Sequence, residues 1–236
     1  MEKDLRELVE KLRQAAGANL KSVVLYGSAA SGEFQPKHSD LNVLCVLDRL
    51  DAAELEKLNS PAEWWARKGH PAPLVFTLEE LRRSADVFAI ELLDIQASHR
   101  VLHGEDVFAG LEVPMSLHRQ QVERELRTNL VRLRQTYLTA RGDGKTLERL
   151  MNASVSTFTA LFRHALIALG ERAPQSKRAT VDQLAALLGF DASSLHAVLD
   201  AREGKRHEDA RAAFASYLAA VTHVAEEVDR RLAAAS

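Results

Sequence analysis

The sequence predicts an α+β N-terminal part, a small mixed β-sheet with helices, followed by an all-helical bundle. Short Val- and Leu-rich runs at 21–26, 41–47 and 72–77 alternate with helical patterns and are punctuated by Gly and Pro. Beyond Pro114 no segment reads as a strand, and apolar residues recur every three or four positions. Hydrophobic residues are 46% and charged residues 27% of the 236, a globular balance in a chain long enough for one large domain or two small ones.

The elements follow in order. Leu5, Leu8, Val9 and Leu12 share one face of a first helix, which Gly17 stops. Residues 21–26 form a strand closed by Gly27, and a polar loop with Gly32, Pro36 and His38 leads to the next strand. That strand, 41–47, is apolar almost throughout, which predicts cover on both faces. Asp51 with Glu54, and Ser60-Pro61 with Glu63, read as two capping boxes, so a broken helix is expected up to Gly69. Residues 72–77 form a third strand, and Thr77 with Glu80 caps a short helix after it. Residues 86–98 read as a helix and 100–103 as a last edge strand.

Leu126, Leu130, Leu133 and Tyr137 mark a long helix that ends at Gly142-Asp143-Gly144. A second helix covers 147–169 with Gly170 just past its end. Thr180 and Gln183 are expected to cap a third that closes at Gly189, Asp191 a fourth, and the last helix starts near His207. The domains are drawn as 1–112 and 113–236.

The formal net charge of −2 excludes a generally basic nucleic-acid coat, so nucleic acid is not the expected partner. Cys45 is the single cysteine, and its apolar neighbours predict an inert buried thiol. No apolar run approaches the roughly 20 residues of a membrane span, and the first five residues are acidic and amphipathic, unlike a signal peptide. A cytoplasmic protein with no membrane partner is expected.

The chemistry concentrates in Leu25-Tyr26-Gly27-Ser28, eleven residues of loop, then Asp40-Leu41-Asn42-Val43. Gly27 ends a strand, and its missing Cβ lets a phosphate approach the backbone. Ser28 offers a hydroxyl and opens a short helix whose first amides favour an anion. Asp40 and Asn42 are two apart at a strand start, so both side chains point to one face. Paired oxygen ligands beside such a turn suit Mg²⁺ bound together with a nucleoside triphosphate.

The pattern resembles the DNA polymerase beta-like nucleotidyltransferase superfamily, whose members carry a hydrophobic residue, Gly, then Gly or Ser, a loop of about ten residues, and Asp-hydrophobic-Asp/Glu-hydrophobic. More narrowly it is similar to small bacterial nucleotidyltransferases of the kanamycin nucleotidyltransferase type, which have a helical second domain. The resemblance implies that Gly27 and Ser28 hold the β- and γ-phosphates, that Asp40 binds Mg²⁺ and that Ser39 braces the loop; Lys37 is read either as neutralising phosphate or as a solvated loop lysine. It also exposes departures. The second metal-binding carboxylate of the superfamily is Asn42 here, whose amide oxygen can coordinate but brings no charge. The third, which the superfamily places on a later strand, has no counterpart in 72–77; Glu79, Glu80, Asp86, Glu91 and Asp94 follow it, each readable as a cap or a solvated face.

Three functions therefore compete. One is a nucleotidyltransferase that moves a nucleoside monophosphate to a hydroxyl of a small molecule or protein, weakened by its incomplete carboxylates. Another is a degenerate relative that binds a nucleotide or a partner without turnover. The third is a helical ribonuclease-type domain, with Arg202 and His207 in R-x4-H spacing and converging across a homodimer interface. Arg119, Arg124, Arg127, Arg132 and Arg134 make one helix basic, and pairing with Glu123 and Glu125 explains them as well as a nucleotide does. Trp64 and Trp65 point in different directions on a helix, which sends one of them to the core.

Overall fold

Four strands, β1 (Leu20–Tyr26), β2 (Asn42–Leu47), β3 (Leu74–Thr77) and β4 (His99–Gly104), form one sheet in the order β3-β2-β1-β4. They belong to a computed structural model that describes residues 1–31, 40–140, 142–202 and 209–234. β1 pairs antiparallel with β2 and β4, whereas β2 pairs parallel with β3, so the sheet is mixed as predicted. By contacts the chain separates into two units, Met1–Pro114 and Met115–Ser236.

Alternation along β1 and β2 builds two cores, one on each face of the sheet. Val23, Leu25, Val43 and Cys45 pack with Leu5, Leu8 and Leu12 of α1 (Glu2–Ala16) and with Leu58 and Trp65 of α3 (Ala52–Arg67). Val24, Leu44 and Val46 face the other way, onto Leu81 of α4 (Leu78–Arg83), Leu92 and Ile95 of α5 (Ala89–Ala97), and Phe108. Cover on both faces accounts for the unbroken apolar run of β2.

Three expectations for this unit need correction. The helix expected to break at Ser60-Pro61 is one continuous α3, because Leu58, Pro61 and Trp65 lie on one buried stripe. An internal proline costs about 3 kcal/mol, and burial of Leu58 and Trp65 returns about 1.5–3 kcal/mol each. Glu54 does not complete a capping box either. Asp51 accepts the Glu54 N–H at 2.9 Å, but the Glu54 carboxylate, only 3% exposed, takes hydrogen bonds from Lys57 (2.9 Å), Arg49 (2.8 Å) and Asn19 (3.0 Å). Those donors, Lys57 first, hold its pKa down to about 2. The Thr77–Glu80 capping box is present as expected, with Thr77 N–H donating to Glu80 at 2.8 Å and Glu80 N–H to Thr77 Oγ1 at 3.1 Å. The stretch read as one helix over 86–98 is a 3₁₀ turn, Ser84–Asp86, and the separate α5.

The second unit is all helical among its described residues: α6 (Met115–Ala140), α7 (Gly144–Ala168), α8 (Lys177–Leu188), α9 (Ser193–Arg202) and α10 (Ala210–Ala234). α7 is its centre and touches the other four. Met151, Val155, Phe158 and Phe162 recur along it at helical spacing and are all buried. The third helix of this unit starts earlier than Thr180. Ser176 precedes its first turn, and Thr180 sits buried within it, its hydroxyl donating back to the Ser176 carbonyl at 3.0 Å. Gln183 instead reaches the Arg172 carbonyl at 3.2 Å. Among the described residues no helix is long and apolar enough to cross a membrane.

Candidate functional site

The antiparallel ladder of β1 and β2 ends at the pair Tyr26 and Asn42, which face each other directly. Gly27 follows at φ +77°, and the chain turns at once into the four-residue α2 (Ser28–Ser31), with Ala30 N–H donating to the Gly27 carbonyl at 2.9 Å. A Cβ added to Gly27 would stand 3.2 Å from Asn42 Nδ2. The turn that ends β1 therefore leaves little room for a side chain beside the one that opens β2.

Leu41 is buried in the core shared with α1 and α3, so alternation sends Asn42 to the opposite face, the face of Tyr26, Leu44 and Val46. Asp40 is exposed just before the strand, and Asn42 is half-buried. The structure thus brings Gly27, the start of α2 at Ser28, Asp40 and Asn42 to one end of the sheet. Lys37 and Ser39 lie outside the described residues. Burial pushes the Tyr26 phenol above its ordinary pKa, so it is neutral beside Asn42 at physiological pH.

Gly27→Ala tests the turn. The substitution places a side chain at positive φ and against the Asn42 amide, at an expected cost of about 1–2 kcal/mol of stability. Chemical denaturation reads this cost, and an unchanged midpoint would show that the turn tolerates a side chain.

The third-carboxylate question has a geometric answer for this sheet. β3 starts at Leu74, the partner of Leu44, so Leu74 lies on the Asn42 face and near the same end. It is 43% exposed. Glu79 and Glu80 follow the far end of β3, opposite Leu47, roughly 15 Å away by strand rise. There Glu79 pairs with Arg83 at 3.4 Å and Glu80 caps α4. Asp86 closes the 3₁₀ turn, and Glu91 and Asp94 lie on α5.

Residues 5–94 match the family model described as a nucleotidyltransferase domain. The N-terminal unit carries a nucleotidyltransferase domain. The whole chain is also similar in fold to spectinomycin adenyltransferase AAD(9) from Enterococcus faecialis, solved with ATP and spectinomycin. The TM-score is 0.61 and the identity 12%, over 97% of this chain and 99% of that one. At that identity the likeness speaks to the fold. No curated protein matches the chain.

Nucleotidyltransferases of this family typically use a divalent metal. Among the described residues no group of three or more His, Cys, Asp or Glu side chains could hold one. Among the described residues, what the nucleotidyltransferase domain offers at the Gly27 end is one exposed carboxylate, Asp40, and one amide, Asn42. That set fits a Mg²⁺ ion carried in on a triphosphate, which needs one or two protein ligands, and falls short of a two-ion site.

One residue at this end has no signal in the motif. His70 accepts the Leu41 N–H through Nδ1 at 3.3 Å and stacks on Trp65 with ring centroids 4.3 Å apart. Its partner is 29 residues away in sequence, and an isolated histidine after a helix gives no local pattern to read.

Several of the remaining candidates have structural partners. Trp65 is fully buried and Trp64 partly so, with Lys11 and Lys68 over the Trp64 ring at 5.2 and 5.5 Å. Burial pushes the Cys45 thiol up to about 12, which makes it inert. Arg127 pairs with Glu123 at 3.3 Å and Asp229 at 2.5 Å, Arg124 with Glu125 at 3.5 Å, and Arg119 donates to the Ala168 carbonyl. Arg202 donates to Ser156 on α7, and His207 lies outside the described residues. A surface groove between α6 and α10, lined by Tyr137, Phe214, Leu218 and His223 among others, holds Glu226 as its one carboxylate.

Proposed function

We propose that this chain moves a nucleoside monophosphate from a nucleoside triphosphate to a hydroxyl of a small molecule, at a slow rate. The observation that carries this reading is the close approach of the Gly27 turn to Asn42 at the head of β2, beside an exposed Asp40. In the reaction the acceptor oxygen bonds to the α-phosphorus, the bond from that phosphorus to the bridging oxygen breaks, and pyrophosphate leaves. The hydroxyl proton must pass to a base. Bound Mg²⁺ would supply positive charge against the triphosphate.

The chain's own residues divide the remaining work. Gly27 admits phosphate close to the backbone, and Ser28 follows with a hydroxyl. Among the described residues Asp40 is the single negative ligand, and Asn42 adds a neutral oxygen. Leu74 occupies the place on β3 from which a carboxylate could take the proton. A positioned base contributes about 10²–10⁴-fold in rate, so its loss accounts for slow turnover. A small-molecule acceptor is favoured because the similar fold of AAD(9) was solved with ATP and spectinomycin, a small molecule.

Titration of the chain with each of the four nucleoside triphosphates, with and without Mg²⁺, tests the binding step. Binding should survive metal removal in weakened form, because backbone contacts to phosphate do not need the ion. Transfer should be slow and should vanish in Asp40→Ala. Rapid turnover lost in that variant would mean that a carboxylate other than one at Leu74 serves as base, and would overturn the slow-enzyme reading.

A further inference from the structure

The segment bearing Asp40 and Asn42 lacks sheet support at its outer end. The β1–β2 pairing stops at Asn42 and the β2–β3 pairing begins at Leu44, so Leu41 lies beyond both ladders. Its side chain is buried, and a shielded backbone N–H without a partner is costly. The partner comes from another element: His70 Nδ1, at 3.3 Å.

His70 is itself held in place by the end of α3. Lys68 N–H and Gly69 N–H close that helix onto the Trp65 and Ala66 carbonyls at 3.0 and 2.9 Å, and the next residue is His70. Its ring lies on Trp65, which is fully buried and so forms a fixed platform. An accepting Nδ1 leaves the ring proton on Nε2, the neutral tautomer. Burial favours that neutral form, against the pull of the nearby Asp40 charge. Buried packing on α3 is thereby transmitted, through one ring, to the backbone between the two proposed ligands.

We propose that His70 is a positioning residue of the nucleotide site: by holding the Leu41 N–H it fixes the spacing of Asp40 and Asn42. This role rests on the nucleotide reading above. It assigns the site a component from outside the Gly27–Asn42 motif and predicts that an acceptor atom, rather than a ring, is what position 70 must supply.

The experiment compares His70→Asn, His70→Phe and His70→Leu in the full chain. Asparagine places an oxygen where Nδ1 stands. Phenylalanine keeps the stack on Trp65 without an acceptor, and leucine guards against a steric fault of the larger ring. Two quantities are read: hydrogen exchange at the Leu41 amide, and equilibrium binding of ATP with Mg²⁺. In His70→Asn both should stay within about twofold of the parent. In His70→Phe and His70→Leu, exchange should rise and affinity should fall, each by about tenfold. Unchanged Leu41 exchange in either apolar variant overturns the proposal, as does faster exchange with unaltered ATP affinity. Failure of the asparagine variant to restore both also overturns it. A parent chain that binds no nucleotide, with Leu41 still protected by His70, is a different result: it overturns the nucleotide reading, and this role with it, while leaving the hydrogen bond intact.

Discussion

Asn42→Asp is expected to tighten binding of Mg²⁺-ATP by about ten- to a hundredfold. The two side chains are nearly the same shape, so the fit beside Gly27 is kept and the change is one of charge. A unit negative charge about 4 Å from a cation is worth about 1–4 kcal/mol in partly solvated surroundings. The sign should reverse without the metal, because the added carboxylate then faces a triphosphate of like charge. Calorimetric titration in Mg²⁺ and in chelator reads both signs, and tightening in both conditions would place Asn42 away from the phosphates. Asn42→Asp alone should leave transfer slow, since Leu74 still fills the place of the base. Adding Leu74→Glu should raise the rate by a further hundredfold or so. Leu74 is already exposed and on the right face, so the second change buries no charge.

The helical unit should lose about 3 kcal/mol of stability as the pH falls from 6.5 to 4. His118 and His164 are both fully buried and hydrogen-bonded to each other, Nε2 to Nδ1, at 3.0 Å. Among the described residues His118 Nδ1 has no partner, so the neutral ring keeps its proton on Nε2, where it can be donated to His164. Burial first, then the His164 and Arg119 charges, lower the His118 pKa to about 4. Between that value and 6.5 the unfolded chain binds a proton that the folded chain refuses. Stability therefore rises with pH through this window, by about 1.4 kcal/mol per unit at most. Both tryptophans lie in the first unit, so their fluorescence follows that unit, while far-ultraviolet circular dichroism is dominated by the helices. Urea midpoints by circular dichroism at several pH values measure the loss. His118→Leu should flatten the profile, and a slope that persists in this variant would assign the acid sensitivity elsewhere.

Much of the sheet was legible because its signals are local. Tyr26-Gly27 ends β1 as expected, the apolar run after Asp40 is β2, and the capping box at Thr77 and Glu80 sets the end of β3. The misreadings have physical causes. Ser60-Pro61 looks like a helix start, but the stripe of Leu58, Pro61 and Trp65 against the sheet overrides it. Glu54 looks like a cap partner, but Arg49 and Asn19 reach it from other elements. Thr180 looks like a cap, but the true start is a turn earlier. In the first two cases a tertiary contact outweighs a local preference, and in the third an earlier local start displaces a later one. The site divides the same way: Gly27, Ser28, Asp40 and Asn42 are adjacent to one another in a motif, whereas His70 enters through the fold, and Leu74 acquires meaning only once the register of β3 against β2 is known.

β3 has a further consequence, for how copies of this chain behave in a crowd. It is an edge strand, and among the described residues its outer side pairs with no other strand. Leu74-Val75-Phe76-Thr77 is also a run of high β-propensity, the kind of sequence through which sheets of separate molecules can join. Pro71 and Pro73 stand immediately before it, and the Thr77–Glu80 cap turns the chain into a helix immediately after it. Only about 13 Å of edge is left open, and a neighbouring strand would meet prolines at one end and a helix at the other. Such short, proline-guarded edges resist intermolecular pairing. A Pro73→Val change would lengthen the open edge and should show itself as aggregation during refolding, well before any loss of native stability.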